Sequence, residues 1–236
     1  MIFERKHKVG VDEVNGKLLM TNRAIIVSFE NTASFQSDSI HYGILDIPQT
    51  FLTWFVIDWK VRVIRRPLYG DELTIRTWGR DAARSFSYRD FEIYVNGELY
   101  VQATSKWALL NVRTRTFETV SEQLLQRYGN EDGLSTFAER ELEHMAVLEE
   151  YDSKTEITVR KSDLDFNGHV NNVKYFDFLI DYADAPEYSS FRITYRKEIK
   201  KKDRVFLCHS SHGDKDLYAI TDGEGQVKTI IECHND

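Results

Sequence analysis

The segment VNNVKYFDFLIDY (residues 170–182) predicts a helix that is apolar on almost every side. One apolar stripe recurs at helical spacing, and further apolar residues fill most of the remaining circumference. The stripe consists of Val170, Val173, Phe176 and Ile180, and the residues beside it are Tyr175, Phe178, Leu179 and Tyr182. A helix of this kind is buried, so the rest of the chain has to enclose it. We expect it to begin at about His169.

The segments around this helix have the alternation that is typical of antiparallel strands. Phe191, Ile193 and Tyr195 alternate in one predicted strand. The other predicted elements are strands over 156–160 and 205–208 and a hairpin over 219–232 with its turn at 222–225. A curved antiparallel sheet wrapped around one central helix, the hotdog architecture, fits this pattern.

The first half of the chain repeats the same plan. A helix is predicted over 22–42, where Ile25, Phe29, Ala33 and Ile40 keep helical spacing. The predicted strands that follow are 54–63, 73–78, 84–95 and 99–112, with a hairpin turn at Asn96-Gly97. A helix followed by antiparallel strands, twice over, predicts an α+β fold with two hotdogs in tandem.

These elements divide the chain into three predicted regions. Residues 1–117 form an N-terminal hotdog, and residues 151–236 form a C-terminal hotdog that contains the motif described below. Residues 118–150 have helical composition and are predicted as a connector of two short helices.

Composition excludes several classes of protein. Hydrophobic residues make up 42% of the 236 residues, which is enough for packed cores and too many for disorder. No apolar run of 18 residues appears, so no membrane span is predicted. The net charge of −7 argues against a general nucleic-acid binder. With two cysteines and no apolar signal core in the opening MIFERKHKVG, we expect a cytoplasmic protein.

Just before the buried helix lies the polar stretch DLDFNGHVNN, residues 163–172. Helix capping explains part of it, because Asn167 or Asp165 could accept hydrogen bonds from the free N–H groups of the first turn. One capping residue does not account for a cluster that also contains His169 and Asn171. The alternative is a hydrolytic site, where helix N-terminal amides polarise a carbonyl and His169 exchanges protons near neutral pH. The spacing alone leaves both interpretations open.

The motif resembles the signature of the acyl-ACP thioesterases, which hydrolyse fatty acyl chains from acyl carrier protein. The resemblance is carried by DLDFNGHVNNVKYFDF and YRKEIKKKDRV in the second half, and by WKVRVIRRPLYGDELTIRTW and SKWALLN in the first. It covers nearly the whole chain. Because no plastid transit peptide of the plant members is recognised in the sequence, the chain resembles the bacterial members or a trimmed plant-type chain. The resemblance implies a tandem hotdog hydrolase of fatty acid biosynthesis that releases free fatty acid from acyl-ACP, with acyl carrier protein as its partner and no cofactor.

The resemblance also implies roles for particular residues. It places the active site at Asp165, Asn167, His169 and Glu198. Glu198 or Asp165 would activate a water molecule, and His169 would orient it or protonate the intermediate. Asn167 would hold the substrate carbonyl, helped by amides at the helix N-terminus. The residues that supply those amides are Gly168, Val170 and Asn171. Direct attack by water and a covalent acyl-carboxylate intermediate both remain open.

One position departs from the plant members of the family, many of which have a cysteine directly after the glutamate. This chain has Ile199 there, so a cysteine nucleophile at that position is excluded. Cys208 and Cys233 do not match the position. The cysteine and histidine residues near the C-terminus also lack the spacing of a standard zinc site, so no metal site is predicted.

Two further groups of residues are candidates for binding. Trp54, in the first half with the other tryptophans, could line an acyl pocket, although core packing is the ordinary explanation. The basic residues Lys200, Lys201, Lys202 and Arg204 could dock the acidic carrier protein. The alternative for this cluster is a solvated charged face.

Two other functions compete with hydrolysis of acyl-ACP. An acyl-CoA thioesterase would also use a basic patch, to bind the CoA phosphates. A non-catalytic acyl-binding or regulatory hotdog protein is the third candidate, and the complete set of four site residues argues against it. A tandem chain supplies internally the pairing that single hotdogs obtain by dimerising, so both a monomer and a homodimer are compatible with the sequence.

Overall fold

In the computed structural model the described residues are 1–140, 142–165, 167–183 and 185–235. The chain divides into two compact units, Met1–Leu142 and Glu143–Asp236. Each unit contains an antiparallel sheet and one main helix.

The N-terminal unit is built on a five-stranded antiparallel sheet. Its strands run in the order β1-β3-β4-β5-β2, and the short β6 pairs with β5. The strands are β1 (Phe3–Lys8), β2 (Leu52–Val63), β3 (Glu72–Ala83), β4 (Phe86–Val95), β5 (Glu98–Asn111) and β6 (Thr116–Phe117). The helices are α1 (Asn22–Ser39), α2 (Ile47–Thr50) and α3 (Glu122–Tyr128). The predicted strands are present, and β1 is an additional edge strand.

Helix α1 packs on one face of this sheet. The hydroxyl of Thr21 caps its start by accepting a hydrogen bond from an amide of the first turn at 3.1 Å. Phe29, which is fully buried, packs against Trp59 of β2 and Phe91 of β4, with ring centroids 6.0 and 4.9 Å away. The predicted apolar stripe therefore faces the core, and the helix ends at Ser39, slightly earlier than predicted.

A segment that we call the strap, residues 130–140, is fastened to this sheet by buried charges. Arg80 and Asp90 are both fully buried and form an ion pair of 3.0 Å. The second carboxylate oxygen of Asp90 accepts a hydrogen bond from the amide of Thr136 at 2.9 Å. Arg80 donates to the carbonyl oxygen of Arg140 at 2.9 Å. The two residues of the pair therefore also bind the backbone of the strap.

The predicted connector contains one helix, not two. Helix α3 is capped by the Ser121 hydroxyl, which accepts a hydrogen bond from the Leu124 amide at 3.2 Å. It ends at Gly129, whose φ of +59° is the left-handed conformation that glycine adopts at little cost. The remaining described residues of 118–150 form no helix.

The C-terminal unit repeats the arrangement with fewer residues. Its sheet has the order β8-β11-β10-β9-β7 and every pair in it is antiparallel. The elements are β7 (Ser153–Ile157), α4 (Lys174–Ala183), β8 (Ser190–Tyr195), β9 (Val205–His212), β10 (Lys215–Asp222) and β11 (Val227–His234).

Helix α4 lies against this sheet through its aromatic residues. The ring of Tyr175 meets Tyr195 at 5.3 Å, and the ring of Phe176 meets Phe191 at 5.0 Å. Ile180, which the sequence placed on the buried stripe, is 44% exposed. The helix is therefore buried on most sides but not on all.

Helix α4 begins at Lys174, not at about His169 as predicted. In the polar segment before the helix, the backbone amides form hydrogen bonds to groups outside the helix. The side chain of Asn171 accepts a hydrogen bond from the Val173 amide at 3.2 Å, and the amides of Val170 and Asn171 donate to carbonyl oxygens outside the helix. Asn and Asp side chains compete with helix formation in this way.

Each unit thus consists of an antiparallel sheet with a main helix on one face, as the α+β prediction requires. None of the helices in the described ranges is long and apolar enough to cross a bilayer.

Candidate active site

The side chain of Asp165 shapes the loop before α4. Its Oδ1 atom accepts hydrogen bonds from the amides of Asn167 and His169 at 2.8 and 3.0 Å. Its own amide donates to the carbonyl of His169 at 2.8 Å, and its carbonyl accepts from the amide of Gly168 at 3.1 Å. Gly168 has a φ of +79°, which favours glycine. Asp165 is therefore the acceptor at the centre of the turn that presents His169.

A short antiparallel bridge joins this loop to the segment that carries Glu198. The amide of Val170 donates to the carbonyl of Ile199 at 2.8 Å, and His169 lies opposite Lys200. Successive residues of an extended chain point to opposite faces. Val170 and Ile199 accordingly occupy the buried face, with 4% and 0% exposure. The other face carries the polar side chains.

Glu198 contacts two of those polar side chains at once. Its Oε2 atom lies 3.0 Å from Nε2 of His169, and its Oε1 atom lies 2.8 Å from Nζ of Lys200. The side chain of His169 is 24% exposed and that of Glu198 is 48% exposed, so both remain accessible. The structure therefore brings together two of the predicted catalytic residues, although they are distant in sequence.

The predicted oxyanion donors are not at a helix N-terminus, because α4 begins only at Lys174. The amides of Gly168, Val170 and Asn171 donate to backbone carbonyl oxygens of the same unit at 3.1, 2.8 and 2.8 Å. The predicted position at a helix N-terminus is therefore wrong for these amides, and their role in substrate binding stays a prediction. Asn167, by contrast, is exposed, which leaves its side chain facing solvent.

The N-terminal unit contains a loop with the same scaffold, immediately before α1. There Asn15 takes the place of Asp165, and its Oδ1 atom accepts hydrogen bonds from the amides of Lys17 and Leu19 at 2.9 and 3.2 Å. The amide of Asn15 donates to the carbonyl of Leu19 at 2.9 Å. The two loops therefore have the same hydrogen-bonding pattern, built once on an amide side chain and once on a carboxylate.

The bridge is duplicated as well. The amide of Met20 donates to the carbonyl of Pro67 at 2.8 Å, and Leu19 lies opposite Leu68. Leu19 thus occupies the position of the histidine, and Arg66 occupies the position of the glutamate. The guanidinium of Arg66 donates to the carbonyl of Met20 at 2.8 Å and so satisfies its own loop. The scaffold is present in both units, but only the C-terminal copy carries an imidazole and a carboxylate at the bridge positions of His169 and Glu198.

An imidazole in contact with a carboxylate is an arrangement suited to proton transfer. A carboxylate can take a proton from water, and a histidine titrating near neutral pH can give one to a leaving group or intermediate. Across the residues that the structure describes, no group of three or more His, Cys, Asp or Glu could hold a metal ion.

Comparison with known families identifies the family of the chain. The profile of the acyl-ACP thioesterase N-terminal domain matches residues 1–128, and that of the acyl-ACP thioesterase C-terminal domain matches residues 147–234. The chain belongs to the acyl-ACP thioesterase family. The C-terminal match includes the loop before α4 and the bridge to Glu198.

Two curated relatives of this thioesterase-family chain come from plants. It is 30% identical over 200 residues to oleoyl-acyl carrier protein thioesterase 1 of Arabidopsis thaliana, a match covering 78% of the chain and 54% of the relative. It is 29% identical over 182 residues to an acyl-[acyl-carrier-protein] hydrolase of Cuphea viscosissima, covering 71% of the chain and 44% of the relative. The chain therefore spans about half the length of the curated relatives it matches.

Solved structures share the fold over the whole chain. An acyl-ACP thioesterase from Bacteroides thetaiotaomicron superposes with a TM-score of 0.86 at 18% identity, covering 99% of this chain and 97% of the other. The 12:0-ACP thioesterase from Umbellularia californica superposes with a TM-score of 0.80 at 23% identity, covering 99% and 96%. The predicted α+β hotdog fold is confirmed.

The position of the plant cysteine is structural in this family member. Ile199 is fully buried and lies on the opposite face of the bridge from His169. Cys208 and Cys233 are also buried, and burial raises the pKa of the Cys233 thiol well above its ordinary value. These positions give no thiolate next to His169.

Trp54 lies beside helix α3. Its Nε1 donates to the hydroxyl of Tyr128 at 3.0 Å, and the two rings meet edge to face with centroids 6.2 Å apart. Leu109 and Leu124 belong to the same apolar cluster. These contacts are those of ordinary packing, and a role for Trp54 in acyl binding stays a prediction.

The predicted docking cluster divides into two kinds of residue. Lys200 is paired with the site glutamate, and Arg204 binds Glu156 through two bonds of 2.7 and 3.0 Å. Lys201 and Lys202 are exposed. Sequence reasoning missed that Lys200 belongs to the site. The available signal was its position two residues after Glu198, since residues at that spacing share a face of an extended chain.

Proposed function

We propose that this chain hydrolyses the thioester of fatty acyl-acyl carrier protein and releases a free fatty acid. Family membership supports the reaction, and the contact between His169 and Glu198 is the observation that supports the location of the chemistry. The proposal extends to the carrier protein as partner and to a cytoplasmic location, which rests on the sequence alone.

The proposed reaction begins with a water molecule at the Glu198 carboxylate. Glu198 takes a proton from this water as its oxygen attacks the acyl carbon, which converts the carbonyl to a tetrahedral oxyanion. The oxyanion collapses, the carbon–sulfur bond breaks, and the carrier's thiolate leaves with the bonding electrons. His169 delivers the proton that the thiolate takes up, and the proton that Glu198 took from water returns to His169 across their 3.0 Å contact, which restores both groups. A thioester needs only weak acid assistance, because a thiolate is a good leaving group.

Asp165 and Asn167 have supporting roles in this proposal. Asp165 holds the turn in which His169 lies, through its bonds to two loop amides. Asn167, which is exposed, offers its side-chain amide to the substrate carbonyl. In the alternative route the Glu198 carboxylate itself attacks the acyl carbon and forms a covalent acyl intermediate, which water then hydrolyses. A single turnover in ¹⁸O-labelled water tests for the covalent route, because label enters the Glu198 carboxylate only when water attacks the Glu198 carboxyl carbon of an acyl anhydride.

The test of the proposed function is a hydrolysis assay with acyl-ACP and acyl-CoA of matched chain length. The names of related enzymes include oleoyl, palmitoyl and dodecanoyl carrier-protein substrates, so the series should span those chains. We expect hydrolysis of acyl-ACP with a kcat/KM at least tenfold above that for acyl-CoA. A preference for acyl-CoA would make the chain an acyl-CoA thioesterase. Tight acyl binding without hydrolysis of either substrate would make it a binding protein.

A further inference from the structure

We propose that Lys200 is a positioning residue for the thioesterase reaction, acting through Glu198. This inference rests on the proposed function, since it assigns Lys200 to the same site and not to carrier docking. Its ammonium holds one oxygen of the Glu198 carboxylate at 2.8 Å, while the other oxygen lies 3.0 Å from the imidazole of His169.

The backbone fixes this arrangement. Lys200 lies directly opposite His169 in the antiparallel bridge, and the Val170–Ile199 hydrogen bond locks the two segments in register. Opposed residues share a face of the pair, and so does Glu198, two residues before Lys200. The backbone pairing therefore places the side chains of His169, Glu198 and Lys200 next to one another.

The turn after the bridge fixes Lys200 further. Its amide donates to Oδ2 of Asp203 at 2.9 Å, and its carbonyl accepts from the amide of Asp203 at 3.0 Å. The N-terminal unit has the same turn, where the amide of Leu68 donates to Oδ2 of Asp71 at 2.8 Å. The scaffold therefore needs no lysine at this position, since a leucine serves equally well there. The ammonium of Lys200 is an addition to the copy that carries the histidine and the glutamate.

The physical effect of the ammonium is on the orientation and charge of Glu198. A carboxylate that is 48% exposed rotates freely unless both oxygens have partners. Lys200 stabilises the ionised form and turns the second oxygen toward His169. Since Lys200 is itself 57% exposed, the effect is that of a solvent-screened ion pair and not of a buried one.

The experiment compares Lys200→Met and Lys200→Arg with wild type on two substrates, acyl-ACP and a neutral acyl-N-acetylcysteamine thioester. We expect Lys200→Met to lower kcat roughly 2- to 5-fold on both substrates, the scale of an exposed ion pair. KM should stay within about twofold, and Lys200→Arg should recover most of the activity because it restores the cation. The melting temperature should not change.

The matched control is Lys215→Met. Lys215 pairs with Glu232, whose other oxygen lies 3.1 Å from Nε2 of His234, so the same three residue types meet on β10 and β11 away from the proposed site. Lys215→Met should leave kcat unchanged. A comparable fall in kcat in this variant would show that loss of any such pair disturbs the unit, and would overturn the assignment.

Two further results would overturn the inference while leaving the proposed function intact. If Lys200→Met raises KM for acyl-ACP but does not affect the neutral thioester, Lys200 is a docking residue. If kcat on both substrates equals that of wild type, the ion pair has no role in the reaction. Absence of hydrolysis by the wild-type chain would instead contradict the proposed function itself.

Discussion

Asp165 has an identifiable task at the scale of single residues, because the equivalent of its side chain in the other unit is an asparagine. Asn15 accepts hydrogen bonds from two loop amides in the same pattern, which shows that an amide oxygen supports this turn. We therefore expect Asp165→Asn to keep the loop and to retain at least tenfold more thioesterase activity than Asp165→Ala. Alanine removes the acceptor of two loop amides, at a cost of about 0.5–1.5 kcal/mol in stability for each hydrogen bond lost.

The measurement is kcat together with thermal unfolding of both variants. If Asp165→Asn folds as wild type and is nevertheless as inactive as Asp165→Ala, the carboxylate takes part in the chemistry. Asp165 would then replace Glu198 as the candidate base.

Glu30 of α1 gives a prediction about pH. Its Oε1 atom is buried without a hydrogen-bond partner among the residues that the structure describes, and burial raises the pKa of this carboxyl from 4.5 to about 7. The folded state therefore binds the proton more tightly than the unfolded state. Stability is lost as the pH rises from about 4.5 to 7 and is level above that, by at most about 3 kcal/mol.

Glu30→Gln removes this titration. We expect the variant to be more stable than wild type at pH 8 and nearly equal to it at pH 4, as measured by urea unfolding across that range. A stability difference that does not change with pH would show that Glu30 is solvated in the folded protein.

At the scale of elements, the strap depends on the buried pair of Arg80 and Asp90. Asp90→Asn removes the buried counter-charge of the Arg80 guanidinium and leaves it only the exposed Asp81 carboxylate at 3.8 Å, and loss of a buried partner typically costs about 3–5 kcal/mol. The expected result is a large fall in the stability of the N-terminal unit. The control is Arg204→Met, which breaks the exposed pair with Glu156 and should cost less than about 1 kcal/mol. If the two variants lose the same free energy of unfolding in chemical denaturation, the pair of Arg80 and Asp90 is not needed to hold the strap.

The elements also show what the sequence could predict. Strand alternation and helical stripes located nearly every strand and both main helices, because these patterns follow directly from which face is buried. The start of α4 was predicted too early. The amide of Val173 donates to the side chain of Asn171, and the spacing of apolar residues does not show that this amide is bonded outside the helix. The amides of Gly168, Val170 and Asn171 consequently lie before the first turn of α4 and not within it.

The duplicated loop was hidden by a misleading local match. Both loops contain Asn-Gly, at Asn15-Gly16 and at Asn167-Gly168, and aligning these dipeptides puts the loops out of register. The hydrogen bonds instead align Asn15 with Asp165. The two positions are equivalent because their side chains accept hydrogen bonds from the amides of the turn. A pattern of residue types does not show which side chain does so. The pairing of His169 with Glu198 came from family resemblance and could not have come from spacing.

At the scale of the whole molecule, the carrier protein has to find the site on a chain that is itself acidic, with a net charge of −7. We expect the exposed Lys201 and Lys202 to steer an acidic carrier. Replacing both with Glu should raise KM for acyl-ACP several-fold, with the larger effect at low salt, because such charges are screened beyond about 8 Å at physiological ionic strength. The kcat at saturation should not change. A KM that is independent of salt in both proteins would show that the lysines form only a solvated face.

One scaffold occurs twice in the molecule, and we propose that hydrolysis takes place at its C-terminal copy through His169 and Glu198. The most direct test is kcat for acyl-ACP hydrolysis by Glu198→Gln, which keeps the size of the side chain and removes its basicity. We expect kcat to fall roughly 10²-fold or more with an unchanged melting temperature, the usual scale for a general acid–base group. A folded Glu198→Gln variant that turns over within a few-fold of wild type would contradict the account.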